Sequence, residues 1–290
     1  MKVNVGHVET FQCSFTQEDF DRFASLTGDN NPIHVDPDFS ARTRFGKTVA
    51  HGMLLYSTIC RGLSTRYPGP GILQIDQEMM FQSPTYTDTQ VTVRLEVAAF
   101  QPGRQRVDMN TLIGLPGGNL ACKGRTSIHL PGWKGGFPGI DATMAAAGDS
   151  EAQSLKRLEI GQSAAATKIF TAEDLTEYAD LTRDTNPLFH DAAYCRRHGF
   201  EDCIMPGPLL SGMFSDLLGT KLPGRGTNWL KQKLHFPAPA YPGDEITARV
   251  EIVRLRPEKD LVNLSGTCTN SSGAWVCQAQ SLVFVRDLEG

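Results

Sequence analysis

The 290-residue chain contains no long apolar run, so nothing in it reads as membrane-spanning. Its opening residues, MKVNVGHVETFQCSF, lack the apolar stretch behind a basic start that a secretory signal or an anchor needs. The cytoplasm is the expected location. An excess of positive charge is also missing: 28 Lys and Arg stand against 32 Asp and Glu, with a pI near 6.0, which argues against nucleic acid as a partner. The seven cysteines (Cys13, Cys60, Cys122, Cys195, Cys203, Cys268, Cys277) form no Cys-x-x-Cys pair. Neither a zinc cluster nor a dithiol redox centre is therefore expected, and the thiols read as reduced and mostly buried. Disorder is excluded by 40% hydrophobic against 21% charged residues. At roughly 150 residues per domain the length suggests two domains, each able to bury a core.

The chain repeats itself. Moved by 155 positions, it superimposes on itself without a gap from Gly6/Gly161 to Glu96/Glu251. Phe15-Thr16 meets Phe170-Thr171, Asn31-Pro32 meets Asn186-Pro187, Gly52 meets Gly207, and Phe81, Pro84 and Tyr86 meet Phe236, Pro239 and Tyr241. One offset held over so long a stretch means two copies of one folding unit. Between them Pro131 to Gln153 is rich in Gly, Pro, Ala and Ser and has no apolar period, the composition of a linker. The expected division is residues 1–130, the linker 131–153, and residues 154–290.

In each copy Thr16 to Asp19, or Thr171 to Asp174, has the form of a capping box and precedes a short amphipathic helix. Val49 to Leu63 is apolar on nearly every face, which predicts a helix buried on most of its circumference. Strand periodicity follows at Val91 to Val97, Gln105 to Ile113 and Leu120 to Leu130, and in copy two at Trp229 to Phe236, Ile246 to Val253, Leu261 to Thr269 and Val276 to Val285. A long apolar helix followed by consecutive strands predicts an α+β fold, a double hot dog in which each antiparallel sheet wraps one helix and the two sheets pair edge to edge.

Chemistry-bearing residues cluster before the buried helix of copy one. Asp29-x-Asn31-Pro32-x-His34 is followed by Arg44-Phe45-Gly46 and by Ala50-His51-Gly52-Met53. Asp29 after a glycine is by itself an ordinary turn residue, Asn-Pro marks turns, and a solitary His34 is commonly a satisfied loop histidine. Together, on a loop stiffened by Pro32, a carboxylate and an imidazole can be aimed at one water, and imidazole titrates near neutral pH. The start of the buried helix offers unpaired N–H groups and the positive end of its dipole to a developing oxyanion. Gly52 permits close approach there.

These strings resemble the signature of the MaoC-like, or hydratase 2, family of (R)-specific enoyl-CoA hydratases and 3-hydroxyacyl dehydratases, over most of copy one and more weakly through copy two. The resemblance implies that Asp29 and His34 hold the catalytic water, that Asn31 supports their loop, and that the Gly52 amide contacts the thioester oxygen. His51 is read as a helix cap or a substrate contact, Met53 as a substrate contact, Ser57 and Cys60 as core packing with lining of the acyl pocket as the alternative that would make Ser57 substrate-binding, and Arg42 and Arg44 as solvated charge with coenzyme A phosphates as the alternative. No metal or organic cofactor is expected. In copy two Phe189 replaces His34 and Pro206 replaces His51, while His190 sits one position late, a rotation of about 100° on a helix. Copy two is therefore expected to be degenerate, with Pro206, Gly207 and Pro208 shortening or bending its central helix and enlarging the acyl tunnel. In the peroxisomal type 2 hydratases the working motif resembles the C-terminal copy, so the order is reversed here.

The expected reaction is reversible hydration of a trans-2-enoyl thioester to the (R)-3-hydroxyacyl product, with an acyl-CoA as substrate, acyl carrier protein as the alternative carrier, and mesaconyl-CoA as a dicarboxylic alternative. A homodimer is compatible with such a chain and not required by it. Two other readings share the fold: an acyl-CoA thioesterase, which would release free thiol, and a non-catalytic acyl-binding partner subunit, for which His34 would be incidental.

Overall fold

The computed structural model describes residues 3–145 and 154–288. In the N-terminal unit the elements are β1 (Val8–Cys13), α1 (Gln17–Thr27), α2 (Pro32–Val35), α3 (Pro37–Ala41), α4 (Gly52–Thr65), β2 (Leu73–Phe81), β3 (Val91–Gln101), β4 (Arg106–Gly114) and β5 (Leu120–His129). A two-strand hairpin, β6 (Ser154–Leu155) and β7 (Leu158–Glu159), leads into the second unit: β8 (Ser163–Ile169), α5 (Ala172–Thr182), α6 (Pro187–His190), α7 (Ala192–Arg197), α8 (Gly207–Asp216), β9 (Asn228–His235), β10 (Glu245–Arg256), β11 (Leu261–Thr269) and β12 (Trp275–Phe284). The offset of 155 residues that the sequence shows as far as Glu96/Glu251 persists to the last strands, since β4 and β5 begin and end 155 residues before β11 and β12.

The ten long strands form one antiparallel sheet in the order β1-β3-β4-β5-β2-β9-β12-β11-β10-β8. The expected edge-to-edge joint is the β2–β9 ladder, where Glu78 stands opposite Lys233, its own counterpart in the repeat, with Asp76 opposite His235 and Met80 opposite Lys231. Equivalent residues facing each other is what a two-fold axis imposes on an isologous interface, here within a single chain. Lys231 pairs with Glu78, and His235 bonds Asp76 (Nδ1 to Oδ1, 2.6 Å) and the Gly139 carbonyl (Nε2 to O, 2.8 Å). Of the segment read as a linker, residues 131–145 are described. They lie against β9 and β12: besides the Gly139 contact, the Asp141 backbone exchanges two hydrogen bonds with the Gln278 side chain, 2.7 and 3.0 Å. Residues 146–153 lie outside the described residues.

Helix α1 starts in a complete capping box, Thr16 with Asp19, and ends at Gly28, whose φ of 84° is the left-handed cap that glycine adopts without strain. α5 repeats the box with Thr171 and Asp174. The central helix α4 buries eleven of its fourteen residues, as its unbroken apolar character predicts, against Val93, Leu95, Val107 and Met109 of the sheet. Among the described residues no helix is long and apolar enough to cross a membrane. All seven cysteines are free, and six are buried.

One expectation for the second unit is corrected. Pro206, Gly207 and Pro208 do not shorten or bend the start of α8: the helix begins cleanly at Gly207, because proline in the first turn removes only an amide that had no intrahelical partner. The departure lies at the other end. Where α4 runs as α-helix to Thr65, α8 gives way at Leu217 to a π-helical turn, Leu217–Lys221, although its closing bond, the Leu222 amide on the Leu217 carbonyl at 2.8 Å, has a counterpart in the Tyr67 amide on the Gly62 carbonyl at 3.1 Å.

Candidate active site

The Asp-x-Asn-Pro-x-His segment is not a plain loop. Asn31 caps a four-residue helix, with its Oδ1 accepting from the Ile33 amide at 3.4 Å and Pro32 in the first turn, and His34 sits on this helix. The Asp29 carboxylate is buried in the turn before it, where Oδ1 accepts the Asn31 amide at 3.3 Å. Gln17, which the sequence did not single out, ties the arrangement to the entry of α4: its Nε2 donates to the His34 carbonyl at 2.9 Å and its Oε1 accepts from Thr48 at 2.6 Å. No sequence signal marks Gln17, since its partners lie 17 and 31 positions away.

His34 and Asp29 face each other, Nε2 to Oδ2, at 4.0 Å. His34 Nδ1 lies 2.7 Å from the Val49 carbonyl, which can only accept, so Nδ1 carries the proton and Nε2 presents a lone pair in the neutral ring. Asp29 Oδ2 is buried without a hydrogen-bond partner. Two acceptors 4.0 Å apart cannot bond directly, but a water donating to both over about 2.8 Å would subtend about 90°, close to its own geometry.

His51 occupies the cap position of α4 through its backbone, without a side-chain cap bond, and it is not among the residues lining the cleft. Its ring stacks on His34, centroids 3.9 Å apart, and its Nε2 donates to the Asp29 carbonyl at 3.0 Å, so it braces the pair from behind. Burial holds its imidazole well below the ordinary 6.5, with the nearby His34 acting the same way and the Asp29 carbonyl bond acting against, so it stays neutral. Ligand atoms of Asp29, His34 and His51 lie within 4.8 Å of one another. The stacking does not suit one shared ion, because an imidazole ligand places a metal in its own ring plane about 2.0–2.1 Å from nitrogen and face-to-face rings have no such point in common.

A cleft of about 200 Å³ opens beside the pair, lined by Asn31, His34, Gly52 and Leu55 of the first unit and by Ser215, Leu218, Gly219 and Trp229 of the second. Gly52 is the first residue of α4, and its amide has no acceptor among the described residues. Met53 and Ser57 are not brought to this cleft. Both are fully buried, and the Ser57 hydroxyl bonds back to the Met53 carbonyl at 3.0 Å. Helical geometry is the reason: at about 100° per residue, Gly52 and Leu55 share a face that residues 53 and 57 leave. Cys60 is core, as expected. Arg44 reaches across the cleft mouth to Asn228 and Asp287, the latter at 3.1 Å. The glycine at 52 also has a packing reason: a Cβ there would lie 2.8 Å from the Phe81 ring, as one at Gly207 would lie 2.7 Å from Phe236.

The matching place in the second unit holds Asp184, Asn186, Phe189 and Gly207 around a cavity of only about 40 Å³. Ser64 of α4 donates to the Asp184 carboxylate, Phe189 packs on Tyr178 with ring centroids 6.3 Å apart, and His190 is exposed. Burial raises the Asp184 carboxyl to about 6, against the Ser64 and Asn186 hydrogen bonds.

Comparison with known proteins agrees with this architecture. A family profile described as the MaoC like domain matches residues 5–115, and one described as the FAS1-like dehydratase domain region matches residues 159–279. An (R)-specific enoyl-CoA hydratase of Aeromonas caviae is 39% identical over 130 residues, 45% of this chain and 97% of the relative. A mitochondrial 3-hydroxyacyl-[acyl-carrier-protein] dehydratase of Solanum lycopersicum is 33% identical over 141 residues, 48% of this chain and 84% of the relative. Among solved structures, a MaoC-like dehydratase superimposes with a TM-score of 0.75 at 18% identity over 97% of this chain and 98% of the other. A Mycobacterium tuberculosis protein described as having a double hotdog fold gives 0.73 at 16% identity over 97% and 96% of the two chains. Two hot dog units on one continuous sheet, with a relative of this identity covered over nearly its whole length, mean that the chain belongs to the MaoC-like dehydratase family.

Proposed function

We propose that the protein is a hydro-lyase that adds water reversibly to a trans-2-enoyl thioester, giving the (R)-3-hydroxyacyl thioester, at one site per chain formed in the N-terminal unit, residues 1–130, and completed by the unit 154–290. The carrying observation is the pair of unpartnered acceptors, Asp29 Oδ2 and His34 Nε2, 4.0 Å apart beside a cleft that ends on the open amide of Gly52. A water bridging the pair attacks C3 of the enoyl group. As the O–C3 bond forms, His34 Nε2 takes the water proton, the buried Asp29 carboxylate stabilises the resulting imidazolium, and the C2–C3 π electrons move onto the thioester oxygen. The Gly52 amide at the positive end of α4 stabilises that oxyanion. The pair then returns a proton to C2 and the thioester carbonyl reforms, so hydroxyl on C3 and hydrogen on C2 account for one water. The names of the relatives support both coenzyme A and acyl carrier protein as carriers, and the substrate proposed is the acyl-CoA. The proposed location is the cytoplasm, and nucleic acid and membranes are not proposed as partners.

Loss of the enoyl absorbance with crotonyl-CoA, with chiral analysis of the product, tests this reading. Release of free thiol without that loss would replace it by thioester hydrolysis. In the same assay Gly52→Ala, whose methyl group would lie 2.8 Å from the Phe81 ring that lines the cleft, is expected to lower kcat/KM about tenfold or more by misplacing the amide and the ring against the substrate. A second change, Phe81→Leu, should restore part of that loss.

A further inference from the structure

The two asparagines that cap α2 and α6 occupy equivalent positions, yet the structure anchors them differently. In the second unit Asn186 is clamped by the loop before β2: the Gly71 amide donates to its Oδ1 at 3.1 Å and its Nδ2 donates to the Ile72 carbonyl at 3.0 Å. Ile72 and Leu73 thereby close over the small apolar cavity. By the repeat, Asn31 should be clamped by Gly226 and Thr227. It is not. Its Nδ2 donates instead to the Gly219 carbonyl in the π turn at 3.3 Å, and Thr227 and Asn228 line the open cleft. Gly226 is held elsewhere, its Cα packed against the Asp287 carbonyl.

Position 219 differs from its counterpart in a second way. The counterpart is Ser64, whose hydroxyl dresses the buried Asp184 carboxylate. Gly219 has no side chain to offer Asp29, and a Cβ there would lie 2.5 Å from Asn31 Nδ2. The π turn, an irregularity frequent at functional sites, brings this one backbone carbonyl to the asparagine without filling the cleft.

We propose that Gly219, in the unit that carries no acid–base pair of its own, is a positioning residue of the N-terminal site. It replaces the clamp that shuts the second cavity, so that Asn31, and with it the Asp29–His34 turn, is held while the cleft stays open. The inference rests on the hydration reading above. It makes the π turn a working part of the site, beyond its contribution to the shared sheet.

The test is a double-mutant cycle between Gly219→Ala and Asn31→Ala, read as kcat and KM for crotonyl-CoA hydration beside urea unfolding of each variant. Gly219→Ala is expected to lower kcat between about tenfold and a hundredfold, the cost of a displacement of about 1 Å in a catalytic group, with KM changed less than about threefold. In the Asn31→Ala background the same substitution should cost less than about twofold more, because the shared contact is already gone. Ser64→Ala, the matching change at the second cavity, should leave turnover within about twofold of the wild type. If Gly219→Ala does not fold, Asn31→Ala carries the test, since it removes the amide without adding bulk and must show the same kcat-selective loss. Wild-type turnover in Gly219→Ala, or equal losses from it in both backgrounds, would overturn the inference and leave hydration standing. A wild-type protein without hydration activity would overturn the functional reading and this inference with it.

Discussion

Replacing His34 by Ala lowers the rate of enoyl-CoA hydration by about 10²- to 10⁴-fold, the span that a positioned proton-transfer group supplies. The structure gives reasons to expect a clean result. The ring is fixed by Nδ1 on the Val49 carbonyl at 2.7 Å and by stacking on His51, so its loss removes the only imidazole among the described residues whose free nitrogen faces both Asp29 and the cleft. His51 cannot take over, because burial keeps it neutral and its Nε2 is committed to the Asp29 carbonyl. The fold should survive, since the helix that carries His34 is held independently by the Asn31 cap and by Gln17. Steady-state kinetics on crotonyl-CoA beside a urea unfolding curve separates the two effects. A His34→Ala enzyme within threefold of the wild type would end the acid–base assignment of His34.

The second large effect is in stability. Asp184 is buried and its carboxyl is raised to about 6, from 3.8, chiefly by burial. A folded state that holds a proton more tightly than the unfolded chain gains stability from it below the ordinary carboxyl range, and loses that stability as pH rises through about 6. The gap corresponds to about 3 kcal/mol at neutral pH. Asp184→Asn keeps the oxygen that accepts from Ser64 and Asn186 and abolishes the charge. It is therefore expected to be more stable than the wild type by about 2–3 kcal/mol at pH 7.5 and no more stable at pH 4, in urea unfolding at the two values. Destabilisation at pH 7.5 would show instead that the hydrogen bonds from Ser64 and Asn186 outweigh the burial of the charge. At Asp29 the carboxylate is equally buried, but among the described residues no hydroxyl takes Ser64's place, which suits a group that must meet water.

Much of the fold is legible because it is written locally and twice. The capping boxes at Thr16 and Thr171, the continuous apolar character of Val49 to Leu63 and the alternation in β3, β4, β10 and β11 each follow from residues within a turn or two of one another. β9 is legible from Trp229 to Phe236 and its counterpart β2 is not, although the two strands bury a glutamine, Gln77 or Gln232, at the same position of the repeat. What else escaped has specific causes. β8, SAAATKI, is an edge strand built of small residues with little apolar contrast. Helix α2 hid behind Asn31-Pro32, which reads as a turn but serves as a helix start.

For the site, the amino-acid order alone determined the members of the pair: Asp29 and His34 are five residues apart, and the short capped helix between them brings their side chains together. It equally determined that the second unit has no imidazole at the place of His34, since Phe189 stands there. The order did not determine what surrounds the pair. That His51 braces His34 from behind, that Met53 and Ser57 turn into the core, and that Gly219 and Trp229 complete the cleft were decided by the folded chain. Such contacts join residues up to 188 positions apart, and they depend on how one sheet carries two helices past each other, a relation that no local spacing records.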